Sequence, residues 1–206
     1  MKLEYIFIHN TAVSHSQPDQ WDSVNEYHKQ QFNMKSSLGY WIGYNYLMDA
    51  FGNIRQARKD GEETAAVMGY NKNALHCCLA GNFDLENPTV NQRHALRKWI
   101  KEKMIEHSIL PENVHGHRWA DSAKAQGKTC PGKNLTDKEI FEMADWQKQE
   151  NEARHAEELA RLNKEKLLEI QKSALEIYIQ VLKEKIKELL LKLNKKLGNI
   201  WQKIED

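Results

Sequence analysis

The chain changes character once, near residue 146, and that change limits what it can fold into. All four prolines and nine of the ten glycines lie before residue 133. From about Asp145 to the end there is no proline, one glycine (Gly198), and a dense supply of Ala, Leu, Lys, Glu and Gln. Proline and glycine are the residues that break helices and make turns, so a stretch without them is free to run as one long helix. Within it Leu175, Ile179, Leu182, Ile186, Leu189 and Leu193 recur at alternating spacings of four and three, the seam of a coiled coil or a docking helix. A straight helix over 148–197 would reach roughly 75 Å at 1.5 Å per residue, more than a compact domain of this size spans. The segment is therefore expected to fold back, pair with another copy, or lie on another surface. The expected organisation is a folded domain over 1–146 and a helical extension over 147–206.

The first part reads as a mixed α/β domain. EYIFIHNT (4–11) and ALHCCLAG (74–81) are apolar, β-prone runs of the kind that form buried strands. NYLMDAFGNIRQA (45–57) reads as a hairpin turning at Phe51-Gly52-Asn53. DQWDSVNEYHKQQFN (19–33) is expected to be a helix starting near Pro18-Asp19, with Trp21, Val24 and His28 on one face. NQRHALRKWIKEKMIEHS (91–108) has the Leu96, Trp99, Ile100 and Met104 spacing of an amphipathic helix. Strands interleaved with helices indicate an α/β class. A hydrophobic content of 40% with six tryptophans supplies a sizeable core. The formal net charge of +1 gives no bias toward nucleic acid, and none is expected as a partner. The N-terminal residues MKLEYIFIHNTAVSHS do not read as a signal peptide, and no apolar run approaches membrane-spanning length. Three cysteines, two of them adjacent (Cys77 and Cys78), do not read as a disulfide framework, so synthesis in a reducing cytoplasm is expected.

The chemistry concentrates in HGHRWADSAKAQGKTCPGKNL, residues 115–135. Zinc favours imidazole nitrogen and thiolate sulfur, and catalytic sites offer three protein ligands and one open position. His117 and Cys130 lie in loop-like sequence near the end of the domain, so a third ligand has to come from elsewhere. His9, at the end of the first buried strand, is the best candidate, although a histidine in IFIHNT is equally a satisfied core residue. Cys130 alone would more often be a small buried thiol. His115 competes with His117, because both flank Gly116 and the sequence does not say which points inward.

Six segments, in order, carry a resemblance: IFIHNTA (6–12), IGYNYLMDAFGNI (42–54), LHCCLAGNFD (75–84), the helix beginning NQRHALRKWI, VHGHR (114–118) and KTCPG (128–132). Over roughly residues 3–140 the chain resembles the zinc N-acetylmuramoyl-L-alanine amidases of type 2, which include bacteriophage T7 lysozyme-like endolysins and peptidoglycan recognition proteins. The resemblance implies a central mixed β-sheet flanked by helices. It implies Zn2+ as cofactor, with His9, His117 and Cys130 as ligands, and so separates His117 from His115. It also implies that Tyr44 and Lys128 are catalytic: the ammonium to meet an oxyanion beside the metal, the phenol to orient water or donate to the tetrahedral intermediate.

Two departures stand out. Cys130 follows His117 by thirteen positions, longer than usual, with WADSAKAQG filling most of the gap. Loop lengthening costs only about 0.6 kcal/mol per doubling, so the geometry can survive it. Trp119 stands where Asp commonly follows the GHR motif, so a partner orienting the ligands is expected to be missing or to come from Asp121. His76, Cys77 and Cys78 read as packing residues, and His15, His28, His94, His107 and His155 as structural.

The expected activity is hydrolysis of the amide between N-acetylmuramic acid and L-alanine, in a phage or prophage endolysin that accumulates in the host cytoplasm before release to the wall. Peptidoglycan is the expected partner. The alternatives are an intracellular wall-recycling amidase, against which Cys130 argues because that branch typically has Asp there, and a non-catalytic peptidoglycan-binding module, which typically lacks the cysteine. Residues 185–204 carry six lysines against Glu188 alone, with an apolar stripe, and suit an anionic membrane or lipopolysaccharide surface. Homo-oligomer formation through the heptad seam is the other expectation for the extension.

Overall fold

A computed structural model describes residues 2–205, and the side-chain environments of these except 151–152 and 198–205. Five strands form one mixed sheet: β1 (Tyr5–Asn10), β2 (Tyr46–Met48), β3 (Ile54–Gln56), β4 (Ala74–Leu79) and β5 (Val114–Gly116), in the order β3-β2-β4-β1-β5. β1 runs parallel to both β4 and β5, β2 is parallel to β4, and among the described residues only the β2–β3 hairpin is antiparallel. Strands β1 and β4 are covered on both faces, which explains why their sequences are continuous apolar runs rather than alternating ones.

Residue parity decides which face each side chain serves. Ile6 and Ile8 of β1, Leu75, Cys77 and Leu79 of β4, and Tyr46 and Met48 of β2 form one cluster with Leu96, Trp99, Ile100 and Met104 of α2 (Val90–His107). Ile140, Met143 and Ala144 of α4 (Asp137–Ala144) complete that layer. The opposite face is smaller and split. Phe7 packs with Val67, Ala74, Ala120 and Ala123, whereas Leu47 and Cys78 pack with Trp21 of α1 (Trp21–Phe32), Ile42 and Ala57. Between those two patches, on the same face, lie His9 and His76.

The hairpin turn is built by Asp49, whose Oδ1 accepts from the N–H groups of Phe51 (2.8 Å) and Asn53 (2.9 Å). Gly52 adopts φ 87°, and a Cβ there would meet the Asn91 carbonyl oxygen at 2.8 Å, so the turn needs glycine twice over. Helix α2 opens with a reciprocal capping box between Thr89 and Gln92. The Gln92 amide also donates to the Ala80 carbonyl at 2.7 Å, tying the helix start to the end of β4.

Arg58 is fully buried and donates to the carbonyls of Ile42 (2.7 Å), Glu63 (3.2 Å) and Met34, pinning three loop segments. An Arg58→Leu protein keeps the volume roughly but orphans these acceptors. Urea unfolding is expected to show a loss of roughly 2–4 kcal/mol, and an unchanged midpoint would mean the loops are held by other contacts.

The described chain divides into two compact units, one ending at Gln147 and one beginning at Lys148. Helix α5 (Trp146–Glu205) is a single 60-residue element. The extension therefore forms no helical hairpin within itself: one backbone ladder runs from Trp146 to Glu205. No described helix is long and apolar enough to cross a membrane.

Candidate metal centre

His9 sits near the carboxyl end of β1, on the face opposite Ile8, and is 1% exposed. β5 lies beside it, with Gly116 in register with Ile8, and the chain then turns into a short 3-10 segment, His117–Trp119. That turn sets the His117 ring 4.8 Å from the His9 ring, centroid to centroid. Cys130 arrives from the following loop, its Sγ 3.8 Å from His9 Nδ1. One donor atom from each of His9, His117 and Cys130 lies within 4.8 Å of the other two.

Arg118, the residue after His117, holds the Cys130 loop in place. Its backbone N–H donates to the Cys130 carbonyl (2.7 Å), and its guanidinium donates to the carbonyls of Thr129 (3.0 Å), Gly132 (2.8 Å) and Leu135 (2.6 Å). The other side of the loop is fixed by Asp84, which accepts from the Thr129 hydroxyl (2.6 Å) and the Lys133 N–H (2.9 Å). Gly132, at φ 106°, lets the loop lie against the backbone of Phe83 and Asp84, where a Cβ would come within 2.8 Å of the Asp84 nitrogen. The long interval after His117 is occupied by α3 (Asp121–Ala125), whose buried Ala123, with the preceding Ala120, packs against the Phe7 cluster. The extra residues form a packed helical turn.

His115 and His117 are separated by the structure. The His115 ring stacks on Trp119 with centroids 3.7 Å apart and planes 4° from parallel. Trp119 thus engages His115. Asp121 does not orient the ligands either: its side chain is 99% exposed and pairs with Lys124 at 3.3 Å, which corrects the expectation placed on it. The orienting contact comes instead from His76, whose Nδ1 lies 3.1 Å from His9 Nε2. His76 is anchored in turn through its backbone, the main-chain N–H donating to the buried Asn45 Oδ1 at 2.9 Å. Its outer Nε2 faces the Tyr70 carbonyl without a well-aligned hydrogen bond. His76 was expected only to pack; the adjacency of β4 to β1, with Phe7 opposite His76, gives it this further contact.

Tyr44 lies at the rim, its ring 4.8 Å from the His9 ring and 5.2 Å from that of His28. His28 Nδ1 accepts from the Gly43 N–H at 2.8 Å and so positions the residue before Tyr44. Tyr44, His28, Tyr27, Val24, Ser23, Val13 and Thr11 line a cavity of about 370 Å³. Tyr27 and Thr11 carried no signal in the sequence, and His28 none beyond the amphipathic face of α1. Lys128 is exposed, with its backbone N–H on the Ala123 carbonyl, and close enough for its charge to act on His9 and His117.

The protonation states suit a soft divalent cation. Burial lowers the His117 pKa to about 4, with Lys128 adding to the depression. Burial, followed by the neighbouring imidazoles, holds His9 well below its usual value. Both rings are therefore neutral near pH 7. Burial pushes the Cys130 thiol up to about 11, opposed by the Asn10 N–H that points at it and by Arg118 and Lys128. Burial also raises the Tyr44 phenol well above 10, with Cys78 and Cys130 contributing, so it remains a hydrogen-bond donor. Two neutral imidazoles and a thiol are a zinc-type donor set, and the 3.8 Å between His9 Nδ1 and Cys130 Sγ is close to the roughly 3.4–3.8 Å separating ligands of a tetrahedral zinc. The set fits the metal. A second group, Asp60, Glu106 and His107, also converges, but the Lys103 ammonium already stands in it at 2.7 Å from both Asp60 and Glu106.

The His76 contact at His9 Nε2 and the Cys130 approach at His9 Nδ1 give the two ring nitrogens separate roles: with the proton on Nε2, donated to His76, Nδ1 is free to face Cys130. His76→Ala is expected to weaken zinc binding by about 10–100-fold in a competition titration, the typical cost of losing such a partner. Wild-type affinity in that variant would reduce His76 to packing.

Residues 1–133 match the family described as N-acetylmuramoyl-L-alanine amidase (Amidase_2). Among curated proteins, the chain is similar to peptidoglycan-recognition protein SC2 of Drosophila melanogaster, with 26% identity over 151 residues, covering 70% of this chain and 76% of the relative. Among solved structures it is similar to the N-acetylmuramoyl-L-alanine amidase LysC from Clostridium intestinale, with a TM-score of 0.56 and 23% identity over 68% of this chain and 83% of the other. Human PGRP-IBETAC, solved in complex with glycosamyl muramyl pentapeptide, superposes with a TM-score of 0.54 at 19% identity, over 71% of this chain and 84% of that one.

Proposed function

This chain belongs to the N-acetylmuramoyl-L-alanine amidase family, and from that premise we propose that it is a zinc-dependent peptidoglycan hydrolase cutting the amide between N-acetylmuramic acid and L-alanine. The observation that carries the reading is the convergence of His9, His117 and Cys130 beside a cavity walled by Tyr44. In this reading these three side chains hold the metal. Bound there, zinc supplies a Lewis acid that polarises an amide carbonyl and brings the pKa of water toward neutrality.

The remaining work falls to the chain itself. The cavity beside Tyr44 is mainly apolar, with Ser23, Thr11 and Tyr27 as polar points, and suits the start of a stem peptide. As water adds to the amide, negative charge grows on its oxygen. The Lys128 ammonium at the rim is the charged donor available to meet it. Burial, with the neighbouring Cys78 and Cys130 sulfurs, keeps the Tyr44 phenol protonated, so its hydroxyl is a second donor available to the substrate. The His76 contact at Nε2 holds the orientation of the His9 ring while this occurs.

The setting we propose is that of a phage or prophage endolysin, made in the host cytoplasm and reaching the wall once the membrane is opened. A binding-only role has one observation in its favour, the similarity to recognition proteins; the intact thiol at Cys130 supports the enzyme.

Digestion of purified sacculi with and without a chelator, followed by mass spectrometry, tests the proposal. Free stem peptides beginning with L-alanine are expected, and only without chelator. Released disaccharides still carrying their stems would make the enzyme a glycosidase, and no release under either condition would leave a binding module.

A further inference from the structure

Helix α5 carries a second surface with its own chemistry. At 100° per residue, Leu175, Ile179, Leu182, Ile186, Leu189, Leu190, Leu193 and Leu197 fall on one stripe about 100° wide. Its members are open to solvent: Ile186 is 55% exposed, Leu189 63%, Leu193 54% and Leu197 46%. Residues 183–197 hold six lysines and two glutamates. Lys183 and Lys187 border one edge of the stripe, and Lys185, Lys192 and Lys196 border the other. Glu184 and Glu188 lie on the far side, with Lys195 and one apolar exception, Leu191.

We propose that this face of α5 docks in the plane of an anionic phospholipid bilayer, its leucines entering the headgroup boundary and its flanking lysines pairing with lipid phosphates.

Three observations select that occupant over a second copy of the chain. First, both edges of the stripe are basic over 183–197. A symmetric helix pair through this stretch would set lysine against lysine across the seam, whereas coiled-coil edges normally carry complementary charges. Second, an antiparallel partner offset toward the upstream half would fare no better. There the same angular face holds Glu157, Arg161, Lys164, Gln171 and Lys172, with Leu168 as its main apolar residue. The leucines would meet a polar surface. Third, Leu190 and Leu197 widen the four-and-three seam of Leu175, Ile179, Leu182, Ile186, Leu189 and Leu193 to a stripe about 100° across, broader than a coiled-coil seam alone and in step with the 3.6-residue period. A stripe at that period stays on one side of a straight helix, as a flat surface requires. Lysines at the edges can extend their ammonium groups to phosphate while their methylene stems cover apolar area. The helix is not apolar enough to cross a bilayer, so it lies along it.

The inference does not depend on the amidase reading. Its test is co-sedimentation of the full-length protein with vesicles of pure phosphatidylcholine, or of phosphatidylcholine mixed with phosphatidylglycerol, at low and high salt. Binding to the phosphatidylglycerol vesicles is expected to be at least tenfold tighter and to weaken in high salt. A protein carrying Lys183→Gln, Lys187→Gln, Lys192→Gln and Lys196→Gln should lose at least tenfold in that binding, since each basic residue near such a surface contributes about fivefold. Leu189→Gln with Leu193→Gln should lose a similar factor. Sacculus digestion, measured alongside, should stay as in wild type for all these proteins, which separates this claim from the catalytic one. Equal partition of wild type into both vesicle types, binding to neither, or undiminished binding of the four-lysine variant would each overturn the proposal. So would light scattering that shows a wild-type dimer converted to monomer by the two leucine substitutions, because the stripe would then be a self-pairing seam.

Discussion

Cys130→Ser is expected to lower turnover on sacculi by about three orders of magnitude, the rate equivalent of roughly 4 kcal/mol, and to leave the purified protein with little zinc. The substitution removes the one sulfur among the three converging donors and changes almost nothing else. The loop around it is held by Arg118 and Asp84 through groups that do not involve the thiol. Far-ultraviolet circular dichroism and the melting temperature of metal-free protein should therefore match wild type. Full zinc occupancy in the variant, by elemental analysis, would show that the thiol is not a ligand.

A second readout of the same residue is the pH dependence of zinc affinity. With the His117 imidazole at about 4, His9 well below its usual value and the Cys130 thiol at about 11, the metal-free site near neutral pH carries one proton to displace, the one on sulfur. Protons compete with the metal below the thiol pKa, so apparent affinity should rise about tenfold per pH unit between roughly pH 5 and 8, and fall correspondingly on acidification. The slope should flatten in Cys130→Ser. A wild-type affinity independent of pH would contradict the assignment as directly as retained metal.

Much of the fold was legible because its local signals agree with its global arrangement. The apolar runs containing Phe7 and His76 became central parallel strands, the Asp49–Asn53 turn closed the hairpin, and the Leu96-to-Met104 spacing faced the sheet. Ligand chemistry nominated His9, His117 and Cys130, but only the resemblance separated His117 from His115, and no local pattern links His9 to residues more than a hundred positions away. The sheet order does so: β1 lies between β4 and β5, so His9 meets His76 on one side and His117 on the other. His76 was missed because a histidine among leucines and cysteines reads as packing until its neighbouring strand is known. Asp121 misled because closeness in sequence to His117 suggested contact, whereas the short helix it begins carries its carboxylate outward. Trp119 likewise looked like the loss of a polar partner; it forms the stacking platform that keeps His115 apart from the metal-binding candidates.

Lys128→Ala and Tyr44→Phe are expected to retain zinc and each lose about a hundredfold to a thousandfold in turnover, the usual effect of removing a donor aimed at a developing oxyanion. The two residues differ in how they reach that role. Tyr44 is half-buried against His9 and His28, and its phenol is held protonated by its surroundings, so the Phe variant removes one hydroxyl and no packing. Lys128 is exposed, and its backbone, not its side chain, anchors the loop through the Ala123 carbonyl. Its replacement should therefore leave stability within about 0.5 kcal/mol of wild type, as for most surface positions. Both losses should appear in kcat more than in KM if the groups act on charge that develops during the reaction. Lys128→Arg keeps the charge but changes its reach and geometry, and partial recovery is expected there. Near-normal kcat in both Lys128→Ala and Tyr44→Phe, with zinc present, would assign the whole rate enhancement to the metal and leave these side chains as rim structure. A loss confined to KM would instead place them on the bound stem peptide, away from the amide that is cut.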